Sequence, residues 1–224
     1  SHLCQALEHS GHKVIGIRGR GNTPLILTAQ TAESVQADLT NPGDVEALMQ
    51  KLADVTDYVD GFVHLARNRE SLLGPDASRG AWLSEYELST FVPYRIGREL
   101  FDNFGLSRLV LASSIYGLVA QQPKMYPDQS ALNPHYGAAK AASLQLVKDL
   151  AVQFAPRCTV NAVTPGGIQS ARSEEIERQY KERVPSGQMV SLDSVTAAVL
   201  FLLSREACSV TGHNLVIDGG WTAW

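Results

Sequence analysis

The sequence predicts an α/β fold in which helices cover both faces of a parallel, doubly wound sheet. Two observations support this. Short apolar runs rich in Val, Ile and Leu recur along the chain and are bounded by Gly, Pro, Asp or Ser. Longer stretches with helical spacing of apolar residues separate them, as in chains of βαβ units. The length of 224 residues suits one domain, spanning residues 1–224.

The predicted elements follow one another without internal repeats. The first is a short amphipathic helix that carries Leu3, Ala6 and Leu7 on one face and ends at Ser10 and Gly11. Strands are predicted at residues 13–17, 33–39, 60–67, 108–113, 159–163 and 214–218, and further helices at residues 42–53, 82–104, 136–154, 174–183 and 194–203. Pro93 lies inside the longest of these, the helix at residues 82–104, and is expected to bend it.

Composition argues against several classes of protein. A net charge of −4 and a pI near 5.9 argue against a nucleic-acid surface. No apolar run reaches the roughly 18 residues that a membrane span needs, and no secretory signal opens the chain. The three cysteines are an odd number without metal-type spacing, so we expect reduced thiols and no metal. We therefore expect a cytoplasmic protein without membrane or nucleic-acid partners.

Three polar side chains are predicted to meet at one edge of the sheet. Ser114 follows the buried strand at residues 108–113, and ligands bind at the carboxyl ends of strands in open α/β sheets. Tyr136 and Lys140 are four residues apart on the following helix, which places them on one face. A nearby ammonium favours the phenolate, so Tyr136 is suited to acid–base work, and Ser114 to holding a carbonyl oxygen. The Tyr–Lys spacing alone is weak evidence for a site, but its position just after the strand that ends at Ser114 strengthens this evidence.

Two further segments complete a recognisable set of motifs. They are Asn161-Ala-Val-Thr-Pro-Gly-Gly-Ile168 and Thr211-Gly-His-Asn-Leu-Val-Ile-Asp-Gly-Gly220. With Ser114, Tyr136 and Lys140, they make the chain resemble a classical short-chain dehydrogenase/reductase from residue 1 to about residue 220. The resemblance implies a Rossmann-like NAD(P)-binding fold and an oxidoreductase that acts on a small-molecule carbonyl or alcohol. It assigns Ser114, Tyr136 and Lys140 as the catalytic residues.

The resemblance also implies where the cofactor binds. Arg18 stands where NAD-binding members carry an acid, and Arg20 is close, which favours NADP(H) over a possible NAD(H). Two solvated loop arginines are the alternative. The other implied cofactor contacts lie at strand ends and on the catalytic helix: Asp38, Leu39, Ala66, Tyr136, Lys140, Pro165, Gly166, Ile168 and Ser170.

The substrate side is expected to lie along the long loop at residues 117–134. The candidate substrate contacts are Ser114, Tyr116, Tyr126 and Gly167, with Gln121, Met125 and His135 as further wall residues. The family also implies a lid at residues 169–184 and a homodimer or homotetramer formed through the helices at residues 91–104 and 143–154. The tryptophans at the end, Trp221 and Trp224, are expected to pack against another subunit.

The chain departs from the family pattern in three places. His64-Leu-Ala-Arg67 stands where members carry Asn-Asn-Ala-Gly, which is expected to put a structural, hydrogen-bonded His64 and an Arg67 near the adenosine side. Glu87 falls where an Asn is usual, either to hold a water or as a surface residue. The glycine-rich turn that holds the cofactor diphosphate is expected to precede Ser1 in the encoded protein. Two alternatives remain: a non-catalytic family member that serves as a binding or scaffold subunit, and an enzyme that modifies sugar nucleotides.

Overall fold

Parallel strands alternate with helices along the chain, as the sequence predicts. A computed structural model describes residues 2–18, 34–67, 74, 76–125, 132–168 and 174–224. In these residues the strands are β1 (Gly16–Arg18), β2 (Ser34–Gln36), β3 (Gly61–His64), β4 (Arg108–Ala112), β5 (Thr159–Pro165) and β6 (Asn214–Ile217). The helices are α1 (His2–His9), α2 (Pro42–Val55), α3 (Arg79–Tyr86), α4 (Val92–Asn103), α5 (Pro134–Phe154), α6 (Glu174–Arg183) and α7 (Leu192–Leu203).

All the strand pairs in the described residues are parallel. Strands β3, β4, β5 and β6 form one sheet in that order, and β1 pairs with β2 in a second sheet. In the larger sheet Val63 pairs with Val110, which in turn pairs with Asn161. Because all four strands run the same way, their carboxyl ends meet at one edge of the sheet. The predicted α/β class with a parallel sheet is confirmed.

Helices bury both faces of this sheet. Successive side chains of a strand point to opposite faces, so Leu109 and Leu111 pack with α2, α4 and α5, whereas Val110 packs with α1 and α7. All three side chains are almost completely buried. Such burial on both faces explains why the sequence of β4 is a nearly continuous apolar run without polar alternation. None of the helices in the described ranges is long and apolar enough to cross a membrane.

The long helix predicted at residues 82–104 is interrupted. Helix α3 gives way to a π-helical turn at Glu87–Phe91, and α4 begins at Val92. Pro93 lies in the first turn of α4 and has no backbone N–H. In a π register the carbonyl of Leu88 would accept from residue 93, and that donor is missing. The ring of His64 supplies a donor instead, with 2.9 Å between Nε2 and the Leu88 oxygen.

The carboxyl-terminal segment corrects one expectation. Trp221 is 5% exposed and stacks on Tyr180, with 4.5 Å between the ring centroids, so it is buried within its own chain. The expectation that it packs against another subunit is therefore wrong. Trp224 is exposed.

We expect Phe154→Ala to destabilise the fold strongly. Phe154 is completely buried, and its ring stacks on Phe101 with 4.2 Å between centroids. Its removal leaves a cavity beneath the sheet and should lower the free energy of unfolding by about 3–5 kcal/mol. Val152→Ala is the matched control, because this side chain on the same helix is 80% exposed. Denaturant titration should show a change within about 0.5 kcal/mol for the control. Equal effects of the two substitutions would contradict this packing.

Candidate active site

The predicted site residues lie at the carboxyl edge of the larger sheet. Ala66 and Arg67 follow β3, Ser113 and Ser114 follow β4, and residues 166–168 follow β5. Strands β3, β4 and β5 are neighbours in the sheet, so the residues that follow their carboxyl ends lie side by side. This is the edge at which ligands bind in open α/β sheets.

A tight backbone contact places Ser114 beside the start of α5. Ser114 caps a short 3₁₀ turn at Ile115–Gly117, and its Oγ accepts a hydrogen bond from the Tyr116 N–H at 3.3 Å. A Cβ at Gly117 would lie 2.8 Å from the carbonyl carbon of Lys140, and a Cβ at Gly137 would lie 2.8 Å from the Tyr116 oxygen. Only glycine permits both approaches. The three predicted catalytic residues therefore lie on two segments in direct contact.

Lys140 is buried and held by β4. Its side chain is 4% exposed, and Nζ donates a hydrogen bond to the Ala112 carbonyl at 3.0 Å. Its own carbonyl accepts from the hydroxyl groups of Ser113 at 3.0 Å and Ser143 at 2.7 Å. Nζ lies 5.8 Å from the centroid of the Tyr136 ring. The strand end thus fixes the ammonium next to the phenol.

Burial lowers the pKa of Lys140 from 10.5 to about 8. The carboxylate of Glu85 opposes this change, and the guanidinium of Arg67 adds to it. Glu85 is completely buried, and Ser89 Oγ donates a hydrogen bond to Glu85 Oε1 at 3.3 Å. A buried carboxylate is unfavourable unless it is paired, and Lys140 supplies the opposite charge.

Sequence reasoning singled out Glu87 and missed Glu85. Glu87 is half-buried at the start of the π-helical turn, whereas Glu85 is the carboxylate that acts on Lys140. The signal for Glu85 was present in the sequence. Buried positions recur along this segment at Ala81, Glu85, Ser89, Val92 and Ile96, so Glu85 is an acid on the buried stripe.

His64 is neutral and structural, as expected. Its pKa falls from 6.5 to about 4, first because it is buried and second because Lys140 is near, while the hydrogen bond to Leu88 opposes the change. A carbonyl oxygen only accepts, so the ring nitrogen facing Leu88 donates. His64 joins the end of β3 to the π-helical turn that follows Glu85.

Arg67 does not lie where the resemblance led us to expect. The expectation placed it near the adenosine side, but its Cζ is 5.0 Å from the centroid of the Tyr136 ring. This distance is within the range of a cation–π contact. The side chain is otherwise exposed to solvent. The predicted acid–base residue therefore has two cations near it, one buried and one open to the site.

The turn after β5 packs under Tyr180. The N–H of Gly166 donates to the Ile217 carbonyl at 2.9 Å, and the N–H of Gly167 donates to the Tyr180 hydroxyl at 2.8 Å. A Cβ at Gly167 would lie 2.7 Å from the Tyr180 ring, so Gly167 is buried beneath it. Ile168 forms a parallel bridge with Val190, and Pro165 ends β5.

The remaining predicted cofactor contacts lie at other strand ends. Asp38 follows β2, and its Oδ1 accepts from the N–H and hydroxyl of Thr40 at 3.0 and 2.7 Å. Leu39 and Ala66 are buried. Arg18 ends β1, but its side chain lies outside the described residues. Three further predicted contacts, Arg20, Tyr126 and Ser170, also lie outside them.

The described residues of the loop after β4 differ from the expected substrate wall. Tyr116 is half-buried at its start, and Gln121 Oε1 accepts from the Asn133 N–H at 2.5 Å, which joins the two ends of the loop. Met125 and His135 are buried, the latter against Trp82 with 5.8 Å between ring centroids. The expectation that these two side chains line the site is wrong. In the part of the chain that the structure describes, no cluster of His, Cys, Asp and Glu is arranged to hold a metal.

Comparison with known proteins finds a family match over almost the whole chain. A family described as enoyl-(acyl carrier protein) reductase matches residues 2–222. The chain is 36% identical over 197 residues to 3-oxoacyl-[acyl-carrier-protein] reductase of Aquifex aeolicus, covering 84% of this chain and 76% of that protein.

Two solved structures share the fold. One is 4-hydroxyisoleucine dehydrogenase complexed with NADH, which is 24% identical with a TM-score of 0.83 and covers 100% of this chain and 93% of that one. The other is enoyl-acyl carrier protein reductase of Bacillus cereus with NADP+, which is 22% identical with a TM-score of 0.82 and covers 99% of this chain and 90% of that one. These two likenesses show the fold. The family match and the 36% identity show that the chain belongs to the short-chain dehydrogenase/reductase family of NAD(P)-dependent oxidoreductases.

Proposed function

We propose that this protein reduces the carbonyl group of a small molecule with NADPH, or oxidises the matching alcohol, with Tyr136 as the acid–base residue. The observation that carries the proposal is the buried Lys140 ammonium beside the Tyr136 ring, at the sheet edge where ligands bind. A group that transfers a proton near neutral pH needs such a neighbour, since an isolated phenol has a pKa of about 10.

Each of the three residues has a distinct role in this proposal. Tyr136 gives its proton to the substrate oxygen during reduction and takes it back during oxidation. Lys140 favours the phenolate that remains after the transfer, because opposite charges attract more strongly in a buried site. The Ser114 hydroxyl holds the substrate oxygen in line with the phenol. The bound nicotinamide supplies or accepts the hydride.

The residues present fit a nicotinamide cofactor. In the described residues Nζ of Lys140 makes one hydrogen bond, to Ala112, and an ammonium has three donors, which leaves capacity for a ribose hydroxyl. Asp38 and Leu39 follow β2 and Ala66 follows β3, and the adenosine end would bind at these strand ends. A preference for the phosphorylated cofactor rests on Arg18 and Arg20, which would pair with a 2′-phosphate.

We propose that the active protein is a cytoplasmic homodimer or homotetramer, formed by residues 1–224 acting as one domain. Large apolar side chains on the outer surface near the start of α4 support the assembly, because Phe91 and Tyr94 are both exposed. Exposed apolar patches of this kind commonly mark subunit contacts.

Tyr136→Phe should remove nearly all turnover. The substitution keeps the ring but deletes the transferable proton, so kcat should fall by roughly 10²–10⁴-fold. The dissociation constant for NADPH should stay within a few fold. Tyr58→Phe is the control, because its hydroxyl contacts Asp60 in an exposed position. Oxidation of NADPH in a screen of carbonyl compounds gives the readout, and full turnover by Tyr136→Phe would refute the assignment.

Cofactor choice should depend on Arg18. Titration followed by nicotinamide fluorescence should show tighter binding of NADPH than of NADH, and Arg18→Ala should weaken NADPH binding roughly tenfold while leaving NADH binding unchanged. Arg205→Ala, an exposed arginine after α7, serves as the control. Equal affinities would leave Arg18 without a role. Binding of neither cofactor would favour the non-catalytic alternative.

The pH dependence of activity should respond to Glu85. The site needs the Lys140 ammonium, whose pKa is about 8, so kcat/KM should fall above about pH 8. The Glu85 carboxylate raises this pKa, so Glu85→Gln should move the alkaline limb to lower pH. Glu87→Gln is the matched control and should leave the limb in place. If Glu87→Gln moved the limb and Glu85→Gln did not, our assignment of the carboxylate would be wrong.

A further inference from the structure

Among the residues that the structure describes, positive charge exceeds negative charge around Tyr136. In the described part of the chain, Lys140 and Arg67 both lie within 6 Å of the centre of the Tyr136 ring, and Glu85 is the acid that acts on Lys140. His64 is neutral at physiological pH. These described groups together carry one positive charge in excess, although the whole chain carries −4.

Arg67 is the source of this surplus. No salt bridge to Arg67 is found among the described residues, whereas Glu85 is buried on the Lys140 side. The guanidinium lies over the face of the Tyr136 ring while the side chain remains open to solvent. The five N–H groups of a guanidinium lie in one plane and match the two oxygens of a carboxylate or phosphate, and the exposure of Arg67 leaves them accessible to such a group.

We propose that Arg67 binds an anionic group of the substrate, a carboxylate or a phosphate, located within a few bonds of the carbonyl that Tyr136 serves. The inference rests on the proposed function, because the substrate carbonyl must meet Tyr136. It adds that the preferred substrates are oxo acids or oxo phosphates rather than neutral ketones.

The cofactor is a less suitable source of this anion. The nicotinamide ring and its ribose, which would lie nearest Tyr136, carry no negative charge. The diphosphate is separated from the ring by that ribose and is bound in this fold class at a helix N-terminus. An anion at the phenol itself is therefore best supplied by the substrate.

The test compares matched anionic and neutral ligands on the holoenzyme. Calorimetry would measure binding of acetoacetate and methyl acetoacetate, and of dihydroxyacetone phosphate and dihydroxyacetone, to the NADP+ complex, in which no hydride can be transferred to a ketone. At least one anion should bind roughly tenfold or more tightly than its neutral partner. The excess should shrink as salt concentration rises, because Arg67 is exposed.

Two variants assign the preference to Arg67. In Arg67→Ala the anionic and neutral ligands should bind with about equal affinity, and Arg67→Lys should retain part of the preference for the anion. Arg157→Ala is the matched control and should keep the ratio of anionic to neutral affinity, because the guanidinium of Arg157 also lies over a ring, that of Phe101, with Cζ 4.0 Å from the centroid. A preference for the carboxylate or for the phosphate pair identifies the anion.

Three results would overturn the inference. In the first, neither anion binds more tightly than its neutral partner. In the second, Arg67→Ala leaves the ratio unchanged. In the third, Arg67→Ala weakens NADP+ binding and not the ratio, which would assign the guanidinium to the cofactor phosphates. Failure of the protein to bind either cofactor would instead overturn the proposed function, and the inference with it.

Discussion

Lys140 is an ammonium group in an almost fully buried position, and the arrangement around it follows from that constraint. Removing such a group from water costs several kcal/mol unless hydrogen bonds and an opposite charge compensate. The Ala112 carbonyl provides the hydrogen bond, and Glu85 provides the charge. Two hydroxyl groups, from Ser113 and Ser143, hold the Lys140 backbone at the same strand end. The compensation remains partial, which is why the pKa of this lysine is lowered.

The interrupted helix places the compensating carboxylate. Pro93 denies a donor to the turn before it, and the turn adopts π geometry. The free carbonyl of Leu88 then accepts from His64, which joins the turn to the end of β3. One turn before Ser89, the Glu85 carboxylate acts on Lys140, and it accepts a hydrogen bond from the Ser89 hydroxyl. A local feature, a proline in a helix, is thus connected through the Leu88 carbonyl and His64 to the end of β3. The same interrupted helix carries Glu85, the carboxylate that acts on Lys140.

The elements with strong periodicity were predictable, and so was the pairing of Tyr136 with Lys140. Four residues on a helix fix two side chains on one face whatever the surroundings. Glu85 was missed because family spacing pointed to Glu87, whereas the π-helical turn and the buried stripe decide which acid faces inward. Arg67 was misplaced because the direction of a side chain in a turn depends on its tertiary contacts, here the Tyr136 ring, and not on the alternation of side chains along a strand. Burial of Met125, His135 and Trp221 depends on contacts between distant segments, which a single sequence does not specify.

The most direct test of this account measures the burial of the Lys140 charge through stability. The pKa of Lys140 is about 8 in the folded protein and 10.5 when unperturbed, so the unfolded chain binds more protons between these values. Folding therefore carries a cost below pH 8 that is relieved as the pH rises toward 10.5. Denaturant titrations of wild type and Lys140→Met from pH 7 to pH 11 would give the free energy of unfolding of both proteins, and the difference between them isolates this cost. Over this range the wild type should gain about 3 kcal/mol relative to the variant. A difference between the two proteins that stays constant with pH would contradict the account.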